Sequence, residues 1–280
     1  CSDHPFFSFD DWFISSTNFK LGIPKSILRY TKNFNYFDTK GLKKLVLKYK
    51  NKISCLIMEA STVSCPKKEC CKKFPCVISD FKKNFLQEVE VICKENNIVF
   101  ILDEIITGFR WHLKGAQSLY NIKPDISTFG KAMANGFSVS AVAGKRKILE
   151  LGSLKNSKKK NFFFLSSTHG AEMVSLNAFI ATLNFYKKNK DIEKNKKFGQ
   201  ALITGFNSIS KDLNILEHIK MDGLPCSPVI KIDFKNESAE LKTFFQQEMI
   251  KNKVIMPSIS ISYRHGPAEL NHTLNAAYES

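Results

Sequence analysis

Apolar residues in this chain follow two rhythms: short unbroken runs, and longer stretches spaced three or four apart. Cys55–Glu59 (CLIME) is an apolar run ending on a carboxylate and reads as a buried parallel strand. Asp80–Asn96 (DFKKNFLQEVEVICKEN) is periodic instead. Phe81, Phe85, Leu86, Val89 and Ile92 or Cys93 share one face, which predicts a helix with Asp80 as its N-cap. Asn97 closes it, and Ile98–Leu102 (IVFIL) is a second continuous strand with Asp103 and Glu104 at its C-terminal tip. Strand, helix, strand at this spacing predicts a right-handed crossover in a parallel sheet.

The same grammar continues downstream. Pro124–Phe129 is a short strand leading into Gly130–Lys131, Val139–Gly144 is another, and Lys145–Leu151 begins a helix. Ser175–Lys187 and Phe198–Leu213 read as amphipathic helices. Beyond Pro225 the pattern changes: Pro228–Phe234 and Ser258–Tyr263 (SISISY) alternate as half-buried strands, Glu237–Asn252 is helical, and Glu269–Tyr278 is a last helix. The expected fold class is α/β. A large domain with a mostly parallel sheet, residues 1–175, precedes a small α+β domain, residues 176–280, with one wetted sheet face.

Composition narrows the function classes. A length of 280 residues, 43% of them hydrophobic, suits one large or two ordinary buried cores. No apolar run approaches the roughly 18–20 residues that span a bilayer, so no membrane segment is expected. The chain opens CSDHPFF, without a methionine or a secretory signal, and reads as a cytoplasmic protein that begins mid-domain. The net charge of +16 is scattered lysine with no arginine cluster, so no nucleic-acid partner is expected. Lys155–Lys160 reads as a solvated loop. Cys65, Cys70, Cys71 and Cys76 are spaced C-x4-C-C-x4-C, unlike the C-x2-C pairs of structural zinc, and read as reduced thiols in a loop insertion.

Candidate chemistry gathers at strand ends, because ligands of open α/β sheets sit outside the carboxyl ends of the strands. Asp103 lies at one such end. Lys131 follows another strand after a glycine, 28 residues further on. Spacing alone leaves two readings open: a site shared by an acid and an amine, or a helix-capping aspartate and a solvated lysine.

The strings around them carry a resemblance. FILDEIITGFRWHLKGAQSLYNIKPDISTFGKAMANG resembles the class III aminotransferase signature, an apolar strand followed by Asp-Glu-apolar-x-Thr-Gly-Phe-Arg and then by Pro-Asp-x-x-x-x-Gly-Lys. Its wording is nearest the glutamate-1-semialdehyde aminomutase-like members. Trp12–Asp38, Ile57–Glu59, Ser166–Glu172 (SSTHGAE) and the closing SISISYRHGPAELNHTLNAA resemble further family segments. The resemblance implies pyridoxal phosphate as cofactor, a pyridoxal-phosphate transferase fold of type I, and amino-group transfer between or within small molecules. Lys131 matches the lysine that forms the Schiff base and shuttles a proton. Asp103 matches the partner of the pyridine nitrogen, and Ile105 the apolar residue on one ring face. Thr168 matches the threonine that donates to the cofactor phosphate from a neighbouring subunit, which implies a homodimer with shared sites. Glu59 matches a strand-end glutamate, read equally as structural, and Glu104 is read as structural.

Departures from the family pattern bear on these roles. Asp3-His4-Pro5 stands where the family has Tyr-His-Gly, so His4 is the first candidate and Phe6 the second for the other ring face. Ala60 replaces the proline after Glu59, and NGFSVSAVAG replaces a glycine-richer stretch. The family's Gly-Ser/Thr phosphate loop at a helix N-terminus has no match in these residues, so the expectation is either that it lies upstream of Cys1 in a longer protein or that the chain is inactive alone. A different class of reading is a catalytically degenerate relative that serves as an assembly or scaffold domain.

Overall fold

A computed structural model describes residues 21–61, 84–153, 170–234 and 237–280. They form two compact units, one reaching to Leu183 and the other running from Asn184 to Ser280. The division falls inside one helix, α6 (Met173–Asn189), within which the predicted Ser175–Lys187 segment lies.

The first unit is built on a four-stranded sheet in the order β1 (Cys55–Glu59), β2 (Val99–Asp103), β3 (Ile126–Phe129), β4 (Ala141–Gly144). β1, β2 and β3 are parallel. Their apolar runs suit burial on both faces: Leu56, Ile57 and Met58 of β1 and Phe100 and Leu102 of β2 are all buried. β4 instead pairs antiparallel with β3 and is largely exposed. The residues between Phe129 and Ala141 are too few for a helical crossover, which takes a dozen or more, so the chain turns back. Asp125 locks the start of β3 to β2. Its Oδ2 accepts from the Phe100 amide at 2.8 Å, and its own amide donates to the Phe100 carbonyl at 2.8 Å.

α1 (Lys25–Leu28) is a single turn, and α2 (Thr39–Lys48) is capped by Asp38, whose side chain accepts from the Gly41 amide at 2.7 Å. α2 buries only Leu42 and Val46 among its lysines, a stripe too thin to stand out in the sequence. α3 (Phe85–Glu95) packs on β2 and against α2, burying Phe85, Leu86, Val89, Ile92 and Cys93. Asn84, rather than Asp80, is its N-cap. The Asn84 side chain accepts from the Gln87 amide and the Gln87 side chain accepts from the Asn84 amide, a reciprocal capping box. Asn97, at φ +54°, turns the chain into β2. Two short elements follow, α4 (Ala116–Leu119) and α5 (Arg146–Leu149), the latter running into a tight turn over Glu150–Gly152.

In the second unit α7 (Asp191–Asp212) packs against a hairpin of β5 (Ile219–Leu224) and β6 (Ser227–Ile232). α8 (Ser238–Lys251) and α9 (Pro267–Glu279) complete a core of Leu202, Ile203, Phe206, Met221, Phe245, Met249, Ala276 and Ala277. α7 starts seven residues before the predicted Phe198, because its first two turns (DIEKNKK) are almost wholly polar. β5 has no counterpart in the sequence reading; Asp222 and Gly223 disguise it, both residues that strands disfavour. The SISISY segment forms no strand. Its alternation reports burial alone: Ile259 packs on the core without a ladder partner. Among the described residues no helix is long and apolar enough to cross a membrane.

One contact fixes how closely α7 meets the hairpin turn. A Cβ on Gly199 would fall inside the radius of the Pro225 carbonyl oxygen, which is backbone and cannot swing aside. On Gly205, in the same helix, it would meet only the tip of the Leu274 side chain. Gly199→Ala is therefore expected to destabilise the second unit by about 1–3 kcal/mol in thermal or urea unfolding. Gly205→Ala should be markedly milder, since Leu274 can change rotamer and alanine favours helix.

Candidate active site

The parallel register decides which side chains meet. Glu59 pairs with Asp103, and Asp103 pairs with Thr128. Residues opposite one another in a sheet project to the same face, so these three polar residues form a row across the carboxyl ends of β1, β2 and β3. Lys131 opens the short turn that follows β3.

Asp103 is 8% exposed. Its Oδ1 accepts from the Ile105 amide at 2.8 Å and from the Thr128 hydroxyl at 3.2 Å. Among the described residues nothing donates to Oδ2. Burial raises the Asp103 pKa, and the two hydrogen bonds and the Lys131 charge only partly offset it. Burial pushes the Glu59 carboxyl up to about 7; the neighbouring Asp103 adds to the shift and Lys131 opposes it. Lys131 thus acts electrostatically on both carboxylates, so the acid and amine that spacing alone left apart lie at the same end of the sheet. Lys131 is exposed, with a left-handed backbone at φ +43°. Ile105 lies against the preceding residue: a Cβ on Gly130 would be 3.6 Å from Ile105 Cγ2.

Glu104 has a different task. It is fully buried, and its carboxylate accepts from the Thr107 hydroxyl and from the Ala116 and Gln117 amides, the last two at 2.8 Å. Burial raises its pKa against these three donors, which favour the charge. The loop it holds is also pinned by Trp111, whose Nε1 donates to Ser61 Oγ at 2.7 Å. Gly108 is needed there, since a Cβ would strike the Glu104 carbonyl and the Phe129 ring, each at 2.7 Å.

His4, Phe6, Thr168, the Lys155–Lys160 run and the cluster Cys65, Cys70, Cys71 and Cys76 lie outside the described residues. Thr128 is the residue that sequence reasoning missed. Alternation along β3 places it on the face of Ile126, but only the β2–β3 register shows that it meets Asp103.

Known proteins fit this arrangement. The Aminotransferase class-III family matches residues 77–256. The chain is 34% identical to glutamate-1-semialdehyde 2,1-aminomutase of Nitrosopumilus maritimus, over 70% of this chain and 48% of that protein. It is 27% identical to 3-aminobutyryl-CoA aminotransferase of Cloacimonas acidaminovorans, over 98% of this chain and 63% of that protein. The chain belongs to the class III aminotransferase family, and it spans about half the length of the curated aminomutases it matches.

Solved structures agree on the fold. An omega-transaminase from Sphaerobacter thermophilus superimposes with a TM-score of 0.82 at 16% identity, covering 99% of this chain and 66% of that one. The FumI protein of Sphingopyxis sp. MTA144, in its PLP internal aldimine form, does so with a TM-score of 0.75 at 19% identity, covering 92% and 58%. The fold is the mostly parallel α/β fold of type I transaminases.

Two outcomes follow from the row of side chains. Thr128→Val keeps the shape but removes a donor to Asp103 Oδ1. It should cost about 1 kcal/mol in unfolding free energy and move the Asp103 carboxyl further upward, and Thr128→Ser should restore both. Glu59 binds its proton more tightly folded than unfolded. Its stabilising share is therefore complete below the ordinary value of 4.5 and is lost as pH rises through about 7. Thermal unfolding of Glu59→Gln should match the parent at low pH and exceed it above neutrality.

Proposed function

We propose that this chain is the lysine- and aspartate-bearing part of a pyridoxal-phosphate enzyme that transfers amino groups. The observation that carries the reading is the Asp103 carboxylate. One oxygen is tied to Ile105 and Thr128 and the other has no donor among the described residues, at the carboxyl end of the sheet where Lys131 bears on the same charge. The donor set fits the cofactor: a carboxylate for a protonated ring nitrogen, a primary amine for an aldehyde, and an apolar side chain beside them.

The cofactor, when bound, supplies an electron sink for the carbanion left by the substrate. Everything else falls to the chain. Asp103 would hold the proton on the pyridine nitrogen through Oδ2, with Thr128 and the Ile105 amide keeping the carboxylate in place. Lys131 Nζ would bind the cofactor covalently and, once released by the substrate amine, move a proton between the substrate α-carbon and the cofactor C4′ carbon. Ile105 would pack on one ring face and exclude water. Thr168 is assigned to the cofactor phosphate of a partner copy and His4 to the second ring face, so a homodimer with shared sites is part of the proposal.

We assign residues 1–175 to the large cofactor domain and 176–280 to the small domain. The names of its relatives support small amine-bearing substrates, with the amino group moved between two molecules as in an aminotransferase or within one as in an aminomutase. A cytoplasmic setting is part of the proposal.

The full-length protein supplied with pyridoxal phosphate should develop a visible absorption band, and borohydride should then fix the cofactor to the peptide that contains Lys131. Lys131→Ala should lose both signals while keeping the thermal transition of the parent. A full-length protein that shows no band sinks the reading in favour of a scaffold role.

A further inference from the structure

The ladder that aligns the site stops short of Lys131. β3 pairs with β2 as far as Thr128, whose carbonyl accepts from the Glu104 amide at 2.9 Å. Phe129 goes on to pair with Ala141 of the largely exposed strand β4. On the β2 side, side-chain packing takes over from the ladder. The Phe129 ring lies so close to the Gly108 backbone that a Cβ there would come within 2.7 Å of it. The next residue, Phe109, has its ring centroid 5.9 Å from that of Phe129 and 6.0 Å from that of Phe179 on α6. These are the spacings of tilted and edge-to-face aromatic pairs, which attract beyond the area they bury. Phe109 takes this place with a left-handed backbone, at φ +61°. A bulky residue holds that conformation where its surroundings over-determine it, and here they include an aromatic ring on α6 and one on the strand that leads to Lys131.

We propose that Phe109 is a positioning residue of this site: wedged between Phe179 and Phe129, it fixes the end of β3 and with it the turn that presents the Lys131 amine. What the amine does rests on the cofactor reading above; how it is held rests on the packing. Strand alternation turns Phe129 to the face opposite Thr128 and Asp103, so the wedge steadies the strand end without touching the cofactor. Gly130 continues the strand in extended conformation, at φ −173°, and carries that placement to Lys131. The turn is then closed by the Met133 amide on the Gly130 carbonyl at 2.9 Å and by the Asn135 amide on the Lys131 carbonyl at 3.1 Å.

Two readouts test the wedge. In the full chain without cofactor, amide hydrogen exchange at Met133 and Asn135 is read against that of Val99, whose amide donates to the Ser54 carbonyl at the start of β2, so that a general loss of stability raises both and cancels. Phe109→Ala should raise this ratio about tenfold, as the loss of two aromatic pairs implies, and Phe109→Tyr should keep it near the parent value. Phe109→Leu should give a smaller rise, and it replaces the alanine variant should that fail to fold. An unchanged ratio, with faster exchange confined to the loop around Phe109, marks a residue of local packing only and overturns the inference. In the full-length protein, Phe109→Ala should need about tenfold more pyridoxal phosphate to reach half of the visible band, and Phe109→Tyr should restore the parent titration. An unchanged titration in Phe109→Ala overturns the inference while the cofactor reading stands. Absence of any band in the full-length parent overturns both.

Discussion

The register of the parallel sheet is the constraint from which the candidate site follows. Strands buried on both faces must be continuously apolar, so polar side chains enter only where the ladder ends. Three strands that end nearly level therefore present their closing residues together, and here these are Glu59 and Asp103, each last in its strand, and Thr128, one before the end of β3. A slip of one residue in either pairing would turn one member of the row to the opposite face. The core contacts of Leu56, Met58, Phe100 and Leu102 are thus also what aligns the acids.

Strand alternation gives two adjacent acids opposite fates. Asp103 keeps one oxygen without a donor among the described residues, while Glu104 is enclosed by the loop that follows it. The carboxyl of Glu104 organises that loop: three donors converge on it, Gly108 makes room beside Phe129, and Trp111 reaches back to Ser61 after β1. The loop in turn carries Ile105 to the backbone next to Lys131. Sheet, buried acid and loop act as one support for a small number of exposed functional atoms.

Much of this was legible in the sequence, and the limits have physical causes. β1 occupies the predicted Cys55–Glu59, and β2 lies within one residue of its prediction, because doubly buried strands leave unbroken apolar runs. Asp103 and Lys131 stood out because each directly follows such a run or closes it. The family strings then supplied the reason for pairing them. Thr128 stayed hidden because register is a property of two strands, and a single strand's pattern does not contain it. The direction of β4 depended on the length of a connection, and the N-cap of α3 was read as Asp80, outside the described residues, where the capping box belongs to Asn84. SISISY misled for the opposite reason: alternation records which side chains are buried and says nothing of whether a neighbouring strand is there to pair.

The backbone at Lys131 carries a cost that its side chain does not relieve. An L-residue in the left-handed region pays about 1–2 kcal/mol that glycine would not. At φ +43°, Lys131 sits in that region, exposed, at a position where its stem is not part of the core. Stability by itself would favour glycine there. Glycine at position 131 would relax the turn and remove the amine in one change, so what the backbone needs there and what the side chain supplies pull in opposite directions.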